Sequence, residues 1–248
     1  MLCKLGNNIG YVVEGVHGVK TDGDFEEKRK TAWEFCKKAI DRDMPCFGFD
    51  LGGPEYCVVN GYDDAGYWFS GGASAFQMMK PRNWKELGDS VGLLEMCSVR
   101  LSNAADDTKA VRESIEFVLK QSKNDQEGTN GFENWIKALE TGTASTIGTA
   151  LHAGCWTECR TFGVQFLKEA KERIGGKTNK LFDEAGGYYD TERESLQKVN
   201  ELFPIHINYA NEPIKNTELS QKAIEHLKKA CRAEEAGLKS LEKLYNEL

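Results

Sequence analysis

His152, Trp156 and Arg160 stand four residues apart, so on a helix they share one edge. That edge would offer a ring nitrogen, an aromatic face and a fixed positive charge. Two acids sit where acids seldom stay without a partner. Glu234 falls between Cys231 and Leu238 on an apolar helical stripe, and Glu192 falls between Tyr188 and Leu196. An Arg160 pairing with Glu234 or Glu192 would satisfy them, either as a clamp between helices or as the charged floor of a ligand pocket. The clamp is the preferred reading. Elsewhere Glu55 opens a strand near Asp63 and Asp64, where it can serve as a ligand-facing carboxylate. Asp63-Asp64-Ala65-Gly66 is also a turn sequence, and for Asp64 the turn reading wins. The candidate ligand-binding residues are thus Glu55, Asp63, His152, Trp156, Arg160, Glu192 and Glu234. His17 and His206 are placed in loops and carry no signal of their own.

The eight cysteines do not read as a disulfide framework. Cys36, Cys155, Cys159 and Cys231 fall on apolar stripes of predicted helices, and Cys46, Cys57 and Cys97 fall within predicted strands. They are expected to pack as small hydrophobes in a reducing cytosol. Cys155 and Cys159 could give two metal ligands from one helix face, but no nearby Cys or His completes a set. Neither a metal nor a cofactor is expected.

Composition narrows the classes further. Among 248 residues, 40% are apolar and 29% charged, the balance of a folded globular chain. A net charge of −7 argues against nucleic acid as a main partner. Its lysines alternate with acids, as in Lys168-Glu169-Ala170-Lys171-Glu172-Arg173, which is a solvated face. No run of about 20 apolar residues could span a membrane. Gly6 and Asn7 break the N-terminal segment before it can form a signal peptide. A cytoplasmic location is expected.

The elements that must position these residues divide near residues 102–105, giving an α+β chain. Residues 1–104 form a small strand-rich part and 105–248 an all-helical part. Ile9–Val16, Cys46–Leu51, Tyr56–Val59, Tyr67–Phe69 and Leu93–Leu101 read as strands, the third and fourth as a hairpin. Asp24 caps a helix that runs to about Asp41. Helices are predicted over Asp106–Lys123, Gly131–Glu140, Ser145–Ile174, Asn179–Leu202 and Thr217–Glu247, punctuated by Gly128, Gly142, Gly175-Gly176 and Pro204 through Pro213. In the third of these, Leu151, Cys155, Cys159, Phe162, Phe166 and Ala170 form the stripe expected to face the core. In the last, the stripe is Ile224, Leu227, Cys231, Leu238, Leu241 and Tyr245.

The run Pro54-Glu55-Tyr56-Cys57-Val58-Val59-Asn60-Gly61-Tyr62-Asp63-Asp64 resembles the second half of papain-like domains, as does the whole stretch from Ile9 to Leu101. It is similar to C39-type peptidases and to the N-terminal domain of the butirosin biosynthesis protein BtrH. That resemblance implies a cysteine acyl-transfer site: a thiolate at a helix N-terminus, a histidine to take its proton, an acid orienting the histidine, and a glutamine in the oxyanion hole. The chain departs from the pattern at each point. Glu55 stands where the histidine belongs, Trp68-Phe69-Ser70-Gly71 offers no orienting acid, and the first glutamine is Gln77. Only eight residues precede Ile9, too few for the nucleophile's helix. The chain is expected to be a fragment or a member that lost its nucleophile half, without cysteine-peptidase activity.

The leading expectation is a catalytically incomplete papain-like domain fused to a helical bundle, binding a small molecule or peptide between the two parts. The rivals are an acyl or peptide transferase whose cysteine half lies on another stretch of sequence, and a helical module that forms homo-oligomers through Thr217–Leu248.

Overall fold

A computed structural model describes residues 2–71, 80–205, 213–215 and 217–248, with side chains from Lys4 onward and Pro213 as backbone only. Gln77 and His206 lie outside the described residues. The chain is α+β, an antiparallel sheet followed by a helical bundle. It divides into two compact units, Met1–Ala105 and Asp106–Leu248.

In the N-terminal unit, α1 (Leu2–Leu5) and a 3-10 turn at Gly6–Ile9 precede β1 (Tyr11–Val19). The first strand was expected from Ile9. It starts two residues later because Gly10, in the left-handed region at φ 86°, closes the turn. Then come α2 (Phe25–Ile40), β2 (Cys46–Phe49), β3 (Tyr56–Asp63), β4 (Gly66–Ser70) and β5 (Leu93–Leu101). The sheet order is β1-β5-β2-β3-β4, antiparallel throughout. Alternation places Cys57 and Val59 of β3 inward and Tyr56 and Val58 outward. The inward face joins Ala32, Trp33, Cys36 and Ala39 of α2 in one core, with Phe69, Leu94 and Met96. Asp24 holds the N-cap position of α2, but its carboxylate reaches Lys28 Nζ at 3.0 Å instead of capping the backbone.

The helical unit comprises α3 (Asp107–Gln121), α4 (Gly128–Glu140), α5 (Thr146–Ile174), α6 (Asn179–Leu202) and α7 (Thr217–Glu247). Asp106 caps α3 by accepting from Lys109 N–H at 2.9 Å, and Ser145 caps α5 by accepting from Gly148 N–H at 3.0 Å. Of the expected α7 stripe, Ile224, Leu227 and Leu241 are buried in the bundle, while Cys231, Leu238 and Tyr245 are half-buried and the unanticipated Ala230 and Leu244 are buried beside them.

Helix α5 does not face as its stripe suggests. Leu151, Cys155, Cys159, Phe162 and Phe166 are exposed, while Ala150, Ala153, Leu167 and Ala170 are buried. Polar and apolar residues are poorly segregated round this helix, so periodicity does not fix its inner face. The small side chains Thr149, Ala150 and Ala153 turn inward instead.

Two apolar cores stack along the bundle. One gathers Phe132, Leu139, Ala153, Leu196, Val199 and Leu227. The other gathers Val111, Ile115, Leu167, Phe182, Tyr189 and Leu241. Between the two sets, α5, α6 and α7 each carry an ionisable side chain with little or no exposure: Arg160, Glu192 and Glu234.

Candidate functional site

Arg160 Nε donates to Glu192 Oε1 at 2.7 Å, and Arg160 Nη2 donates to Glu234 Oε2 at 3.1 Å. The pairing anticipated from the stripes is therefore present, with both acids engaged at once. Glu192 and Glu234 are buried, whereas the Arg160 side chain keeps 18% of its surface. Its guanidinium lies 5.2 Å from the ring centres of both Trp156 and Tyr189. Gly237 makes room for Tyr189, since a Cβ there would sit 3.1 Å from the Tyr189 ring.

Two carboxylates share one cation here. Burial pushes the Glu192 carboxyl well above its ordinary range, and the Glu234 charge beside it adds to the effect. Burial works against the Arg160 charge, but Glu234 and Glu192 outweigh it and hold the guanidinium ionised. As a carboxylate, Glu192 would leave Oε2 buried with no partner among the described residues. Protonated, Glu192 gains a donor that it can offer to Glu234, with which it interacts.

Arg160 also borders a cleft of about 600 Å³ between α4 and α5. Its walls are Phe132 and Trp135 from α4 and His152, Trp156 and Arg160 from α5. The edge read from sequence spacing thus forms one side of a concave site. Trp135 and His152 meet edge to face at 5.7 Å, and Trp135 Nε1 donates to Thr149 Oγ1 at 3.4 Å. Glu127 and Asn134 bring polar atoms to the rim. Its size is that of a small-molecule site, and Phe132, Trp135, His152 and Trp156 bring four aromatic rings to a lining otherwise made of small and polar residues. Phe132 and Trp135 were not anticipated. Their i, i+3 spacing was a signal of one face, but nothing local said that this face would oppose His152.

Glu192 and Glu234 reach the cleft only through Arg160, being absent from its lining. Glu55 and Asp63 were read as neighbours, and the structure separates them. Glu55 precedes one end of the eight-residue β3 and Asp63 closes the other, roughly 25 Å away at strand rise. Asp63 accepts from Trp68 Nε1 at 2.7 Å and from the N–H groups of Ala65 and Gly66, which organise the hairpin turn. The Trp68 hydrogen bond, chiefly, holds its carboxyl below the usual range. Glu55 is exposed in the bend before β3.

His17 lies in β1, not in a loop, with Nδ1 3.1 Å from Glu95 Oε1. Cys36, Cys46, Cys57 and Cys97 are buried, and the contact with Cys46, helped by burial, raises the Cys36 thiol. Cys155 and Cys159, expected in the core, are exposed, and Cys231 is partly so. Among the described residues no three His, Cys, Asp or Glu side chains gather as a metal site, and no helix is long and apolar enough to cross a membrane. No protein-family model matches the chain, and no curated protein matches it significantly.

Proposed function

We propose that the helical unit is a binding module for a small, planar, mainly apolar molecule held in the α4–α5 cleft. The observation that carries this reading is the convergence of Phe132, Trp135, His152 and Trp156 on one cleft of about 600 Å³. Such a lining favours flat aromatic bodies, which stack on indole and imidazole faces. His152 and Asn134 supply the hydrogen bonds that fix orientation. Arg160 is neutralised by Glu234, so the cleft does not select strongly for an anion. The polar layer holds Arg160, and through it the Trp156 ring, in one place, which lowers the ordering cost of binding.

No acyl-transfer step is assigned to the N-terminal unit. Its described cysteines are buried, and His17 is engaged by Glu95. The papain-like resemblance remains a reading of its strand pattern.

Calorimetric titration with uncharged aromatic amides, nicotinamide and indole-3-acetamide among them, tests the proposal. One saturable site is expected, weakened about fivefold by Trp135→Ala or Trp156→Ala, since each removed stacking contact is worth roughly 1 kcal/mol. Binding that ignores both substitutions, or none by any amide, would refute it.

A further inference from the structure

A guanidinium has N–H donors on all three of its nitrogens, and the buried acids take only part of those on Arg160. Nε donates to Glu192 and Nη2 to Glu234, whereas Nη1 meets no acceptor among the described residues. The buried polar atoms of this layer that lack a partner are Glu192 Oε2 and the Tyr189 hydroxyl. Nη1 is not one of them, so it belongs to the 18% of the side chain that stays open. Arg160 lines the α4–α5 cleft beside Trp156. Trp156 precedes it by about one turn, roughly 6 Å along α5, and the guanidinium stands 5.2 Å from the Trp156 ring centre. The cleft thus has charged N–H donors unspent next to one of its aromatic walls.

A ligand group that meets Nη1 must accept hydrogen bonds. An ammonium would set donors against donors and bring a second positive charge. A carboxylate would be a third acid around one guanidinium, where burial and Glu234 already push the Glu192 carboxyl up. An uncharged carbonyl oxygen accepts from the cation and brings no charge into the site, and a hydrogen bond from a charged donor is the stronger kind. We infer that the cleft takes an uncharged planar aromatic molecule bearing a carbonyl group, whose oxygen accepts from Arg160 Nη1 while its ring lies against Trp156. The inference rests on the binding reading above and adds to it the ligand's polar group and the atom that receives it.

Calorimetric titration of the full chain with four probes that share an indole tests the inference: indole-3-acetamide, its carbon isostere 3-isobutylindole, indole-3-acetate and tryptamine. The amide is expected to bind most tightly, at least about tenfold ahead of the carbon isostere, which is what losing a hydrogen bond to a charged group amounts to. Arg160→Met combined with Glu192→Leu and Glu234→Leu removes the ionic layer without stranding a charge, and this triple variant should bind amide and isostere alike. If it does not fold, the guanidinium N–H resonances of Arg160 in the unaltered protein carry the same test, shifting with the amide and not with the isostere. Equal affinity for amide and isostere, or tightest binding by the acetate or by tryptamine, would overturn the inference and leave the cleft as a site for the aromatic ring alone. A preference for the amide that persists in the triple variant would also overturn it, because the carbonyl would then be held elsewhere in the cleft. Binding by none of the four would overturn the binding reading and this inference with it.

Discussion

Glu192 and Glu234 compete for one guanidinium, and the competition governs how each substitution behaves. In Glu234→Ala the Glu192 carboxyl, already 2.7 Å from Arg160 Nε, can ionise and take over the pairing. The expected loss is therefore about 1–3 kcal/mol. Changing both acids, as Glu192→Gln with Glu234→Gln, strands a buried arginine and should cost about 3–5 kcal/mol. Urea denaturation of the three proteins measures the difference. Equal losses in the single and double variants would contradict the competition of the two acids for Arg160. The pH dependence has a definite sign. Because burial raises Glu192, the native state keeps a proton that the unfolded chain has released. Its stabilising contribution is complete below the ordinary carboxyl range and is lost as pH rises through the raised folded value. Glu192→Gln should flatten that decline, which a series of urea melts from acid to mildly alkaline pH would reveal.

At the scale of elements, local signals and long-range packing part company. The bounds of β5, α6 and α7 were legible because turn residues and unbroken periodicity agreed at both ends. α5 was legible in extent but not in facing: its inward side is made of small residues, and its larger apolar side chains point out. The edge His152–Trp156–Arg160 could be read from spacing alone, and the acids from their places on stripes. The wall opposite, Phe132 and Trp135, depends on how α4 docks, which no local pattern records. One turn makes the cost of a lost local signal measurable. At Gly66, φ is 140° and a Cβ would fall 1.9 Å from the Arg82 carbonyl oxygen. Tyr67 and Arg82 exchange backbone hydrogen bonds of 2.9 Å beside it. Gly66→Ala should destabilise the N-terminal unit by about 2–4 kcal/mol, since both backbone strain and the lost bonds contribute. A melting temperature equal to that of the unaltered protein would show that the contact gives way freely.

At the scale of the whole chain, the two units differ in how they hold their thiols. Cys36, Cys46, Cys57 and Cys97 are buried in the N-terminal unit, whereas Cys155 and Cys159 are open on α5. In the native protein, Cys155 and Cys159 should react with a maleimide first, and the four buried cysteines only after denaturant is added. The melting temperature should not depend on reductant, because no disulfide joins the described cysteines. Rapid native labelling of Cys36 or Cys57 would contradict the core placement. The binding reading belongs to the helical unit, and tryptophan resonances report on it directly. The decisive measurement is a two-dimensional proton–nitrogen NMR titration of the full chain with indole-3-acetamide, following the indole N–H signals of Trp135 and Trp156 beside those of Trp33, Trp68 and Trp84. The account predicts saturable shifts of Trp135 and Trp156 with a single affinity while the three N-terminal tryptophans stay fixed. Shifts confined to the N-terminal three, or no shift in any indole signal, would contradict it.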